Sequence, residues 1–168
     1  EACPADASLA CAADSAGAAS GSFASSLRTS PGGSLAIGST SVISASDGVN
    51  WDNAIDIDET DWVINACPAS GTSSTIMEDG TLISAYMSGL NGSRVYWSTV
   101  DLSAFTFLET GQIDPGNTSS ENHPSISSSG DWLVAAWERN SDGYNVMVAI
   151  SNAGPQAFEM SVMNVTEG

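Results

Sequence analysis

Residues 122–158, NHPSISSSGDWLVAAWERNSDGYNVMVAISNAGPQAF, hold one complete unit of a repeat, and the rest of the chain is read against it. His123-Pro124 opens a short strand over 125–128, Gly130-Asp131 turns it, and Trp132 to Trp137 alternates as a half-buried strand does. Asn140-Ser141-Asp142-Gly143 is a hairpin signal and Asn145 to Ile150 a third strand. Ser151 to Phe158 is a tight loop ending in an aromatic ring.

The same order of parts occurs upstream. Cys67-Pro68 corresponds to His123-Pro124, Asp79-Gly80 to Gly130-Asp131, Leu82–Tyr86 to Leu133–Trp137, and Arg94–Ser98 to the strand at Asn145–Ile150. A more degenerate copy starts at Cys3-Pro4, continues through Phe23–Arg28 and Thr40–Ile43, and closes at Trp51. Closing rings at Trp51, Phe107 and Phe158 recur with a period of about 50 residues, the signature of β-propeller blades. The fold expected is all-β, with three four-stranded antiparallel blades over residues 1–65, 66–121 and 122–168.

Three blades do not close a ring, since propellers need about four to eight. A stack left open exposes edge strands, so another copy or another polypeptide is expected to complete it. Three Lys+Arg against 20 Asp+Glu leave a net charge of −17. A field of that sign argues against nucleic acid and anionic membrane surfaces as partners. It suits a secreted, extracellular or periplasmic protein, or one that holds a divalent cation. No run of 18 apolar residues is present to cross a bilayer as a helix. Asp52, Asp56, Asp58, Glu59 and Asp61 alternate with Ile55 and Ile57 as on an outer strand with one wet face; their spacing does not match a calcium-binding EF-hand loop.

The loops before the closing rings carry a resemblance. Ser44-Ala45-Ser46-Asp47-Gly48-Val49-Asn50-Trp51 resembles the Asp box of sialidases and related propellers, with the acid displaced by one place. Ser151 to Phe158 keeps the first serine and last aromatic of that box, Ser98 to Phe107 keeps Asp101 and Thr106-Phe107, and Ile64-Asn65-Ala66-Cys67-Pro68 resembles the blade-opening segment of secreted sialidase-like proteins. The resemblance implies half of a six-bladed propeller in which the boxes are structural and ligands bind at the opposite end.

That end would carry Arg28, Arg94 and Arg139, one per blade and together all the basic residues besides His123. In a sialidase they would clamp a substrate carboxylate, which a planar guanidinium pairs with bidentately. The catalytic tyrosine and glutamate of such an enzyme are marked by no motif here, and no catalytic residue is assigned. A non-catalytic binding or scaffold module is therefore expected, with carbohydrate as a candidate ligand. The alternatives are a glycoside hydrolase acting on acidic sugars and a structural subunit of a surface assembly. Trp62, just before a blade opening, either packs or offers a ring to the ligand; Trp51, Trp97, Trp132 and Trp137 read as packing between blades.

Cys3 can bridge Cys11 or Cys67, leaving one thiol over. A Cys3–Cys67 bridge would close a loop of about 60 residues, worth on the order of 4 kcal/mol. Alternatively Cys3, Cys67 and His123 converge on zinc or copper, although no C-x-x-C spacing supports this. Asn91, Asn117 and Asn164 head N-x-S/T triplets and are glycosylation candidates.

Overall fold

The structure, a computed structural model, describes residues 21–29, 36–44, 53–60, 62–64 and 70–166; for 21–29, 36–40, 43–44 and 63–64 it describes the backbone alone. Cys3, Cys11, Cys67, Trp51, most of the 44–51 box and the side chain of Arg28 lie outside the described residues. The chain divides into two compact units, Glu1–Pro68 and Ala69–Gly168.

In the first unit, β1 (Gly21–Thr29) pairs antiparallel with β2 (Ala36–Ser44). β3 (Ile55–Asp56) and β4 (Val63–Ile64) both pair with β2 as well, at its two ends. The acidic stretch is thus not one continuous outer strand. It breaks at 57–60, where Asp58 accepts a hydrogen bond from the Thr60 backbone N–H at 2.9 Å. Ile57 lies in this break rather than in a strand, fully buried like Val42.

The second unit holds two meanders, β5 (Ser73–Ile76), β6 (Thr81–Ser88), β7 (Arg94–Asp101), β8 (Thr106–Gln112), and β9 (Ser120–Ser129), β10 (Trp132–Asn140), β11 (Tyr144–Ser151), β12 (Met163–Asn164). Each hairpin turns where its sequence signals a turn. Gly80 at φ 86° follows Asp79, whose carboxylate accepts the Thr81 N–H at 2.8 Å. Gly130 at φ 55° and Gly143 at φ 119° take left-handed conformations that favour glycine.

β9 is longer than the strand expected at 125–128, because its ladder with β10 runs through His123-Pro124 as a bulge. Pro124 has no N–H to give a ladder, and His123 adopts φ 52°, so the extra residue is absorbed there. The two meanders pack face to face. Ile83, Ala85, Val95 and Trp97 from one meet Leu133, Ala135, Trp137 and Met147 from the other in a single buried cluster. The first strands are also stitched together by side chains. Ser73 Oγ accepts the Ile126 N–H at 3.0 Å, and Thr75 Oγ1 shares a 2.7 Å bond with Ser128 Oγ.

Two aromatic expectations change. Phe158, on a 3-10 turn at Pro155–Met160, is wholly buried in the cluster as the closing ring should be. Phe107 lies inside β8 and is only partly buried, so it is not the equivalent plug. Trp97 and Trp137 pack between the sheets, whereas Trp132 is 54% exposed because it falls at the turn end of β10, on the sheet's outward face.

The β7–β8 turn is held by Asp101. Its Oδ1 accepts from the Ser103 hydroxyl at 2.7 Å and from the N–H groups of Ser103 and Ala104. These donors, the Ser103 hydroxyl foremost, hold the carboxyl below the ordinary aspartate value. The folded value being the lower one, the turn's stabilisation is present above the unfolded-state pKa and is lost as pH falls through the folded one. A carboxyl titration followed by NMR is expected to place Asp101 below the ordinary aspartate value. Ser103→Ala should move it back up.

Candidate functional site

The chemistry-bearing side chains of the second unit gather at the end where β9 begins and the β10–β11 hairpin turns. Glu121 stands at the start of β9 directly opposite Arg139 on β10. Its side chain is 1% exposed, and its oxygens accept from Trp137 Nε1–H at 2.9 Å, Arg139 Nη2 at 3.2 Å and the Val95 N–H at 3.2 Å. Arg139 Nη2 also donates to Asp114, in the connection between the meanders. One guanidinium thereby pairs with a buried and a half-buried carboxylate, and its charge, with the two neutral donors, is what lets Glu121 remain in the interior. The Nε of Arg139 is buried with no hydrogen-bond partner among the described residues.

Arg94 has a comparable internal task. Its Nη1 donates to the carbonyls of Ser93 and Ser119 and its Nη2 to that of Thr118, each at 2.7 Å. It clips the 113–119 connection to the start of β7. Neither Asp114 nor Glu121 is singled out in the sequence reading. The signal for Glu121 was its place two residues before His123-Pro124, where a strand extended past the bulge sets it against Arg139.

Beside this cluster the surface is open. His123 Nδ1 stands 3.9 Å from Glu138 Oε2, with the two side chains 59% and 35% exposed. The His123 N–H donates to Ser70 Oγ at 2.9 Å. Tyr144, at the hairpin, is 72% exposed. Trp62 belongs to the first unit, half-buried just before β4. Cys3 and Cys67, the proposed metal partners of His123, are outside the described residues. Among those described, no group of three or more His, Cys, Asp or Glu is gathered for a metal ion.

The glycosylation candidates differ in their surroundings. Asn117 bonds Ser119 through both ends of its amide, and Asn164 bonds Asn145 and Thr166. Asn91 is exposed in the β6–β7 turn.

The fold is similar to that of solved structures. An alpha-L-arabinanase from Penicillium chrysogenum, solved with arabinobiose, matches with a TM-score of 0.60 and 13% identity over 87% of this chain. A family GH43 endo-arabinanase from Bacillus licheniformis matches with a TM-score of 0.50 and 12% identity over 90%. The chain resembles part of an arabinanase propeller.

It spans 44% and 57% of the lengths of those two proteins. The likeness is to blades of five-bladed GH43 propellers and is not specific to sialidases. At such low identity it carries the fold alone. No protein-family model and no curated protein sequence matches. Among the described residues no helix is long and apolar enough to cross a membrane.

Proposed function

We propose that the chain is a non-catalytic, carbohydrate-binding segment of a secreted β-propeller, completed by further polypeptide. It takes up neutral saccharide at the end where β9 begins, with Tyr144 as stacking platform and His123 and Glu138 as hydrogen-bonding groups. The observation that carries this reading is the engagement of Arg94 and Arg139 by their own chain. A sialidase-type clamp needs guanidinium donors turned to the substrate carboxylate, and these two are already bound. On this reading Arg94 and Arg139 are positioning residues, and the six-bladed sialidase-like ring gives way to a five-bladed arrangement.

The arabinanase likeness favours a second reading, a glycoside hydrolase acting on arabinose polymers. Such an enzyme needs two carboxyl groups facing the scissile bond. Glu121, with its buried three-donor shell, does not face solvent for that task.

Titration calorimetry with linear arabino-oligosaccharides and with sialyllactose separates these readings. Binding of the neutral sugar without release of reducing ends is expected, weakened roughly tenfold by Tyr144→Ala. Release of reducing ends from arabinan would overturn the non-catalytic reading, and cleavage of sialyllactose would restore the acidic-sugar one.

A further inference from the structure

Asn91-Gly92 is the single Asn-Gly pair in the sequence, and it stands in the β6–β7 turn with both residues exposed. An asparagine side chain closes on its own backbone most readily before glycine, because no Cβ shields the following peptide nitrogen from the Cγ carbonyl. Gly92 also holds φ 82°, a left-handed conformation that other residues rarely adopt. The turn thus has its own reason to keep the glycine that makes the pair reactive.

Elsewhere the fold ties that nitrogen down. After Asn122, Asn140, Asn145, Asn152 and Asn164, the next N–H is given to Ser70 Oγ, the Gly143 carbonyl, Thr166 Oγ1, Ser151 Oγ and the Val146 carbonyl, at distances between 2.6 and 3.2 Å. A peptide N–H committed to an acceptor is a poor nucleophile, since attack requires the proton gone and the nitrogen turned toward the side chain. Asn117 precedes the β-branched Thr118, and Ser119 holds its amide at both ends.

At Asn91 a cation lies beside the reacting nitrogen. A β-carbon on Gly92 would stand 3.4 Å from Arg94 Nη1 and 3.8 Å from its Cζ and Nη2, so the guanidinium rests against the Gly92 backbone. Positive charge there favours the anionic peptide nitrogen, which is the form that attacks. The guanidinium donates to the carbonyls of Ser93, Ser119 and Thr118, and among the described residues no carboxylate pairs with it.

We infer that Asn91 is a self-modification site, converted in the folded protein through a succinimide to isoaspartate and aspartate. The Gly92 nitrogen gives up its proton and bonds to Asn91 Cγ, the Cγ–Nδ2 bond breaks, and the side-chain nitrogen leaves with that proton as ammonia. Water then opens the ring. Opening at the backbone carbonyl leaves the chain running through the side chain as isoaspartate; opening at Cγ leaves ordinary aspartate. The balance is one water consumed and one ammonia released.

Either product puts a negative charge beside Arg94, and conversion ends the Asn91-Gly92-Ser93 triplet as a glycosylation acceptor. Isoaspartate also adds a carbon to the backbone two residues before Ser93. The Ser93 carbonyl accepts both Arg94 Nη1 at 2.7 Å and the Glu121 N–H at 3.0 Å. Lengthening the turn moves that carbonyl off its donors and loosens the start of β9.

The test needs no saccharide. The intact chain is held near neutral pH and followed by peptide mass mapping, with a sample unfolded in urea alongside. Position 91 is expected to gain about 1 Da in the folded sample, at least about tenfold faster than any other described asparagine, with isoaspartate the larger product. Gly92→Ala should slow the gain at least about tenfold. Because φ 82° strains any other residue at that position, Asn91→Gln is the second variant; it keeps the turn and should gain no mass over the same interval. In the converted chain the Glu121 amide is expected to exchange severalfold faster than in fresh protein. Asn91→Asp, which adds the charge without the extra carbon, should not reproduce that change. Conversion confined to the urea sample, or spread evenly over several asparagines, would overturn the inference. Unchanged exchange at Glu121 after full conversion would overturn the coupling of the turn to β9.

Discussion

Replacing Arg139 with alanine is expected to lower the free energy of unfolding by about 3–5 kcal/mol, because it leaves a buried carboxylate without its counter-charge. Glu121 is 1% exposed, so water cannot take over the lost interaction. Its remaining donors, Trp137 Nε1 and the Val95 N–H, are neutral dipoles. Asp114 loses the same partner. Urea denaturation measures the loss, and the effect should persist in high salt, since ions screen buried pairs weakly. Glu121→Gln is the informative contrast. It removes the charge but keeps an acceptor for Trp137, and Arg139 still has Asp114; a loss of about 1–2 kcal/mol is expected. If Arg139→Ala costs no more than Glu121→Gln, the guanidinium is not what holds Glu121 in the interior.

Phe158→Ala is expected to cost about 3–5 kcal/mol, the range for deleting a ring from a packed core. The ring is 0% exposed among Leu133, Trp137 and their neighbours, on a short 3-10 turn with little capacity to collapse into the space left. Phe107→Ala should cost much less, about 1 kcal/mol, because that ring is partly exposed within β8. Equal losses for the two, by thermal or urea unfolding, would restore the equivalence that the repeat suggests and the structure denies.

That pair marks the limit of what repeat spacing specifies. Spacing placed aromatic rings at 107 and 158 in the same slot, yet one-dimensional periodicity counts residues and not the path of the chain between them. Asp101 closes the β7–β8 connection as a short turn, Leu102 to Phe105, and Phe107 passes into the next strand. After Ser151 the chain makes a 3-10 turn that carries Phe158 back into the core. The bulge at His123-Pro124 is a second case. Pro124 by itself predicts the opening of a strand, but a ladder can step over one missing donor, and the strand begins at Ser120. That extension turns Glu121 inward to face Arg139.

The alternation of apolar and small polar residues, the Asp-Gly and Gly-Asp turns, and the recurrence of one hairpin pattern were enough by themselves to determine antiparallel four-stranded sheets in the second unit. These are local matters of backbone conformation and of which side of a strand each side chain occupies. Packing of one sheet on the next decided the rest: which repeat of an identical pattern is core and which is surface, and which arginine meets which acid. Ile83 and Val134 stand at equivalent places in their sheets, yet one is buried and the other open. Burial belongs to the neighbour across the interface, and no stretch of sequence contains its own neighbour.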